Sequence, residues 1–281
     1  MYVPDRSDEF WIIREFKGEG EALKREQLKK LAADERFIPG IYNYCDRWCE
    51  RCPQTSRCLN FTLSESEFSD PEMKDVSNEA FWRKLSEIFT ETLELLRETG
   101  KKWGIELENL DSGSDTERRP ADAEAAEAHV ICRGAKGYSM MVEDWFMERE
   151  RFFFGTAAFT KEGVGAEEAF EVIRWYQCFI SAKIVRAIRG KMEEEEERDE
   201  EFTSDADGSA KIALIAIDRS IGAWAVICRH YRLYAESVFE IISFLGLLRQ
   251  AVEETFPRAR SFIRPGFDDL DLNAMVSGRE S

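Results

Sequence analysis

No stretch of the chain approaches the ~18 consecutive apolar residues of a membrane-spanning helix, so a membrane protein is not expected. Histidine is nearly missing, with only His129 and His230 present. No G-x-S-x-G elbow accompanies them, so serine–histidine–aspartate chemistry has no support. The P-loop and the Gly-x-Gly-x-x-Gly fingerprint are missing too, which removes the usual sequence signs of nucleotide binding. Positive charge is in deficit: 39 Lys and Arg face 56 Asp and Glu, for a net charge of −17. A field of that sign repels phosphate backbones, so nucleic acid is not an expected partner. The run Glu193 to Glu201 holds seven Glu and one Asp, but the chain stays acidic without it. Strand signals are few, and no repeat of roughly 20 to 50 residues stands out.

Cysteine is the residue that is not scarce. Four of the seven fall in one short stretch, Cys45-x3-Cys49-x2-Cys52-x5-Cys58. Thiolates are soft ligands suited to zinc or iron–sulfur clusters, and four of them complete a tetrahedral ion or the four irons of a cubane. Paired zinc knuckles usually sit on separate turns, with a spacer of about a dozen or more residues between them. Here the sulfurs crowd into one winding segment, as in ferredoxin-type runs, which places a [4Fe–4S] cluster ahead of zinc. The competing reading is a disulfide pair or four buried thiols. The start MYVPDRSDEFWII lacks the basic and apolar regions of a secretory signal, so a cytoplasmic setting is expected. That setting disfavours disulfides and favours metal. Tyr42, Tyr44 and Trp48 flank the sulfurs, either to exclude water from a cluster or simply to dock the loop.

The second half of the segment, CERCPQTSRC, has the form C-x2-C-P-x4-C. It resembles the tail of the cluster loop in the endonuclease III-like DNA glycosylases, which implies a [4Fe–4S] cluster in an otherwise helical protein. The resemblance covers Cys49 to Cys58 alone. The family's helix-hairpin-helix, with its catalytic Lys and Asp, has no counterpart, so the glycosylase activity is not implied. Cys45, Cys49 and Cys52 also fit the C-x3-C-x2-C spacing of radical S-adenosylmethionine enzymes, but no alternation of strands and helices follows them.

At 281 residues and 43% hydrophobic, the chain can bury a real core. Residues 1 to 20, with Phe10-Trp11-Ile12-Ile13, read as a short strand or extended arm. Glu21 to Arg36 reads as a helix broken by Pro39-Gly40. Asn60 to Val76, rich in Ser, Glu and Asp, reads as a surface linker. Ser77 is the expected cap of a helix whose apolar positions include Phe81, Leu85, Ile88, Phe89, Leu93 and Leu96. Asp111 to Ala121 reads as a flexible connection. One long helix then runs from Asp122 through Phe152 to Phe154, with a kink expected near Gly134 and Gly137. Gly163 to Gly165 reads as a turn, and residues 166 to 191 as the next helix. Glu193 to Asp207 reads as a solvated loop. Ser209 to Phe256 is almost continuously helical, with Gly222 and Gly246 as soft points, and the residues after Pro257 form a tail.

The expected class is all-α: a helical bundle of four or five long helices with an N-terminal cysteine-rich loop segment. Its parts are an arm with the four-cysteine metal-binding segment over 1–60, a bundle over 77–256 and a tail over 257–281.

A buried charge needs a partner. Lys183 falls in the apolar arc of its helix, with Val172, Trp175, Tyr176, Phe179, Ile180 and Ile184, while Arg174, Gln177 and Ser181 lie opposite. Asp218 sits inside the apolar run LIAIDRSIGAWAVI, on a stripe with Lys211, Gly222 and Arg229. Asp218 is therefore expected to meet Lys183 or Arg186 across two packed helices. That contact would be either an anion-binding pocket, with Lys183, Arg186 and Asp218 as weak catalytic candidates, or a salt bridge fixing helix register. Cys132, Cys178 and Cys228, near His129 and His230, would be small core residues or a second metal site. Neither His follows a Glu by three residues, so a ferritin-like di-iron site fails.

Three functions follow, in order. The first is a metalloprotein whose Cys45, Cys49, Cys52 and Cys58 hold a [4Fe–4S] cluster for redox, sensing or structure. The second is a zinc-stabilised structural or interaction protein that meets a protein partner. The third is an enzyme with the Lys183, Arg186 and Asp218 pocket.

Overall fold

The computed structural model describes residues 25–68, 70–104, 124–155, 164–197 and 205–269. Among the described residues every regular element is helical and no strand occurs, so the all-α class holds. The chain divides into two compact units. Of the described residues, 25–42, 47–68 and 70–104 belong to the first, and 43–46 with those from 124 to 269 to the second. The arm at Phe10-Trp11-Ile12-Ile13, the connection Asp111 to Ala121 and the end of the tail lie outside the described residues.

In the first unit, α1 is Arg25–Ala32. Its C-terminal turn closes through Ala33 N–H to Lys29 O, and the chain reverses at Gly40 with φ +70°, a conformation glycine adopts without strain. The stretch expected as a linker instead contains α2, Leu59–Glu67, and a 3-10 turn, Pro71–Met73. Tertiary packing overrides its polar composition. Phe68 packs on Phe81 with ring centroids 5.8 Å apart, and buried Glu67 pairs with buried Lys84 at 2.5 Å.

The long helix of this unit, α3, is Glu79–Trp103. Its cap is Asn78, one residue beyond the expected Ser77, and the Asn78 side chain accepts the Ala80 N–H at 2.9 Å. Ser77 is engaged instead by Asp75. At the far end Gly104, φ +72°, supplies the left-handed C-cap, and Lys101 and Lys102 face the negative end of the helix dipole. Of the expected apolar face, Phe81, Leu85 and Ile88 are partly covered, whereas Phe89, Leu93 and Leu96 are exposed.

Among the described residues of the second unit are four long helices: α4, Val130–Gly155; α5, Val164–Glu197; α6, Asp205–His230; and α7, Ala235–Thr255. α4 packs on α5 and α7, and α6 packs on α5 and α7. Tyr138, Trp145, Ile173, Tyr176, Ile180, Ile217, Trp224 and Leu245 are among the side chains buried in this unit. Each buried large apolar side chain contributes about 1.5–3 kcal/mol. The Trp145 ring meets Trp224 edge-on at 5.0 Å, and its indole N–H donates to Ser237 Oγ. α6 turns an alanine-rich face inward, with Ala210, Ala213 and Ala216 fully buried, and that lets its neighbours approach closely.

Three boundaries differ from expectation. The interruption before α4 falls at His129, not at Gly134 or Gly137. α5 continues to Glu197, so the first half of the acidic run is helical rather than loop. The break between α6 and α7 lies at Tyr231, not at Gly222 or Gly246. Neither glycine nor proline marks that break. It is set by ring packing: Tyr231 stacks on Phe170 at 5.9 Å, and Tyr234 meets Trp145 at 6.0 Å.

After Pro257 the described residues do not form a tail. Phe256 and Ala259 are buried, and a 3-10 turn at Ala259–Ser261 packs on α6. Lys211 of α6 pairs with Asp268 at 2.8 Å, and Arg264 holds the same carboxylate. Burial alone would raise the Asp268 carboxyl, but the hydrogen bonds from Arg264 and Lys211 outweigh it and hold it well below the usual range.

Candidate functional site

The cysteine segment is built from two single 3-10 turns. The first, Cys49–Arg51, closes with Arg51 N–H to Trp48 O and Cys52 N–H to Cys49 O. Cys52 then extends into Pro53, and the Gln54 N–H donates back to the Cys52 sulfur at 3.4 Å. The second turn, Thr55–Arg57, ends at Cys58, whose carbonyl takes the Thr62 N–H as the residue that opens α2. Ile38 N–H to Arg57 O, at 3.0 Å, ties this turn to the chain before the segment. Arg47 adopts φ +60°, a left-handed conformation that costs a non-glycine residue about 1–2 kcal/mol.

All seven cysteines are thiols, and Cys45, Cys49, Cys52 and Cys58 are each half-buried. Among the described residues no three His, Cys, Asp or Glu side chains are gathered closely enough to hold an ion.

Residues 43–46 belong to the second unit and are fastened to its helices. Lys183 of α5 donates to Asn43 O at 3.2 Å. The Tyr44 hydroxyl donates to Asp205 at 2.9 Å, and its ring packs 4.7 Å from that of Phe262. α6 offers Gly208 at this point, where any Cβ would overlap the Tyr44 ring. Asp46 makes the densest contact: its carboxylate accepts the Tyr176 hydroxyl at 2.7 Å and the Arg219 guanidinium, and its carbonyl accepts the Trp175 indole N–H at 3.0 Å. The Tyr44 ring therefore docks the chain, while the Trp48 ring lies under the Arg51 guanidinium at 4.0 Å.

This fastening perturbs two tyrosines. Burial, reinforced by the hydrogen bond to Asp46, pushes the Tyr176 hydroxyl up to about 12. Burial and the bond to Asp205 do the same at Tyr44, also to about 12. Both are neutral donors throughout the physiological range.

The expected meeting of Asp218 with Lys183 or Arg186 does not occur. Asp218 pairs with Arg260 at 2.6 Å and Arg249 at 3.4 Å, and its side chain is 38% exposed. Arg186 pairs with Asp205 at 2.9 Å. Lys183 is buried as its place in the apolar arc requires, and its ammonium also sits 5.4 Å from the Phe179 ring centre. The arc misplaced Gln177, which is buried and donates to Ser139 O and Glu143. Cys132, Cys178 and Cys228 lie on α4, α5 and α6, the first buried and the second exposed. Burial pushes the Cys132 thiol up to about 11, as for a core residue.

No protein-family model, curated protein or solved structure matches this chain.

What sequence reasoning missed was Asp46. It sits between two cysteines, where attention goes to sulfur, and its partners lie on two distant helices. A charged residue in the middle of a ligand-type motif was the available signal.

Proposed function

We propose that the chain is a metal-binding helical protein whose Cys45, Cys49, Cys52 and Cys58 hold a [4Fe–4S] cluster. One observation carries the reading: the Gln54 N–H donates to the Cys52 sulfur at the end of a one-turn C-x2-C. Amides aimed at sulfur offset the charge of metal-bound thiolates. The donor set, four sulfurs in fourteen residues, suits a cubane or a tetrahedral ion. The sulfurs do not stand as a ready-made ligand group, so the reading requires metal binding to draw the segment closed. Such coupling of binding to local folding is usual for small metal loops.

When bound, a [4Fe–4S] cluster supplies one-electron chemistry or a covalent staple. The chain's own residues position it. Asp46, the residue after Cys45, is held by Tyr176 of α5 and Arg219 of α6, and Cys58 is the N-cap of α2. A cytoplasmic setting, a protein partner and a bundle made of α4 to α7, with α3 as a fifth long helix, belong to the same proposal. The half-exposure of the four thiols supports a second reading, zinc as a non-catalytic staple. Lys183, Arg186 and Asp218 take separate partners, which removes the support for an enzyme built on them.

Absorption separates the two. Protein purified anaerobically should show a broad shoulder in the blue that disappears in Cys49→Ser/Cys52→Ser. A colourless protein with zinc supports the second reading, and a colourless, metal-free one refutes both.

A further inference from the structure

α4 and α7 run antiparallel: Trp145 meets Ser237 near one end, and Gly134 faces Leu248 near the other. Between their outer faces lies an open groove of about 710 Å³, lined by Met141, Phe239, Phe244 and Leu247 together with Glu236 and Glu240. Phe239 and Leu247 are 60% and 68% exposed, and Met141 of α4 lines the groove opposite them. Exposed apolar surface of this kind marks interaction sites, and methionine adapts its shape to the partner. The wall from Glu236 to Leu247 spans about three helical turns at ~1.5 Å per residue, the length over which a docked helix places its anchors.

We propose that this groove receives an amphipathic helix with a basic flank, contributed by a partner protein. Charge decides among the candidate occupants. Among the described residues the groove's ionisable lining groups are two carboxylates, so an apolar stripe flanked by Lys or Arg satisfies floor and wall together. A second copy of the chain, docked through the same face, would bring Glu236 and Glu240 against their own equivalents, which a two-fold interface penalises. An anionic lipid surface is repelled for the same reason.

The test uses the full chain and two labelled synthetic helices of identical leucine pattern, one with lysine and one with glutamate at the polar positions. The lysine helix is expected to bind at least tenfold more tightly than the glutamate helix. Its affinity should fall at least tenfold in Glu236→Gln/Glu240→Gln and again in Phe239→Ser, with helicity by circular dichroism unchanged. Glu193→Gln/Glu194→Gln, in the acidic run of α5, should leave it unaltered. The proposal is overturned if both groove variants bind like wild type, or if the α5 variant weakens binding as much as they do. It is also overturned if sedimentation shows a dimer that Phe239→Ser dissociates.

Discussion

The Asp46 carboxylate accepts the Tyr176 hydroxyl at 2.7 Å and is shared with Arg219. One acidic side chain thus ties residues 43–46 to two helices of the second unit, to which they themselves belong.

Asp46→Ala should cost about 1–3 kcal/mol, because it leaves a part-buried hydroxyl and a half-exposed guanidinium without their acceptor. Tyr176→Phe should cost about 1 kcal/mol. The double variant should be less destabilised than the sum, since both act through one contact. Urea denaturation of the four proteins measures this, and strict additivity would show that the contact contributes nothing.

Gly208→Ala should lower stability by about 1–3 kcal/mol, because the new methyl overlaps the Tyr44 ring and approaches Phe262. Gly222→Ala, at a helical site where a Cβ meets nothing within 4 Å, should raise it by about 0.5–1 kcal/mol. Opposite signs in the two melting curves are the expected result. A neutral Gly208→Ala would mean that Tyr44 does not occupy this position.

Lys84 and Glu67 form a nearly enclosed pair in the first unit, their side chains 6% and 9% exposed. Lys84→Met alone should cost about 3–5 kcal/mol by stranding the carboxylate. Adding Glu67→Leu should recover most of that loss, because the pair's attraction only offsets its desolvation. Thermal unfolding of both variants decides it, and equal losses would contradict a paired arrangement.

Tyr44 and Tyr176, raised from 10.0 to about 12, favour the folded state only while they remain neutral in it. Their contribution is complete below pH 10 and is lost as pH rises toward 12. Ultraviolet titration should show Tyr44 and Tyr176 ionising late, together with Tyr138 and Tyr231, which burial also raises, and Tyr176→Phe should remove one tyrosine from that late group. All tyrosines titrating together near 10 would contradict the packing.

Helix was legible because apolar spacing and alanine content act locally, and Pro257 and Gly104 stopped helices where their chemistry says they must. Three other features depended on contacts distant in sequence. α2 is written in serine and glutamate and is held by Phe81 and Lys84. The break at Tyr231 comes from rings on other helices rather than from a helix breaker. Asp218 looked buried because its neighbours are apolar, yet Arg249 and Arg260 reach it at the surface from α7 and the C-terminal turn. At the cysteine segment, spacing suggested sulfur donors, while the hold of α5 and α6 on Asp46 was invisible because its partners lie far away in sequence.

The most direct measurement counts iron, acid-labile sulfide and zinc per chain in anaerobically purified protein, beside Cys45→Ser and Cys58→Ser. Four irons and four sulfides per chain, lost or halved in each variant, are expected for a cubane held by Cys45, Cys49, Cys52 and Cys58. Substoichiometric metal that is indifferent to both substitutions would contradict a metal centre in this segment.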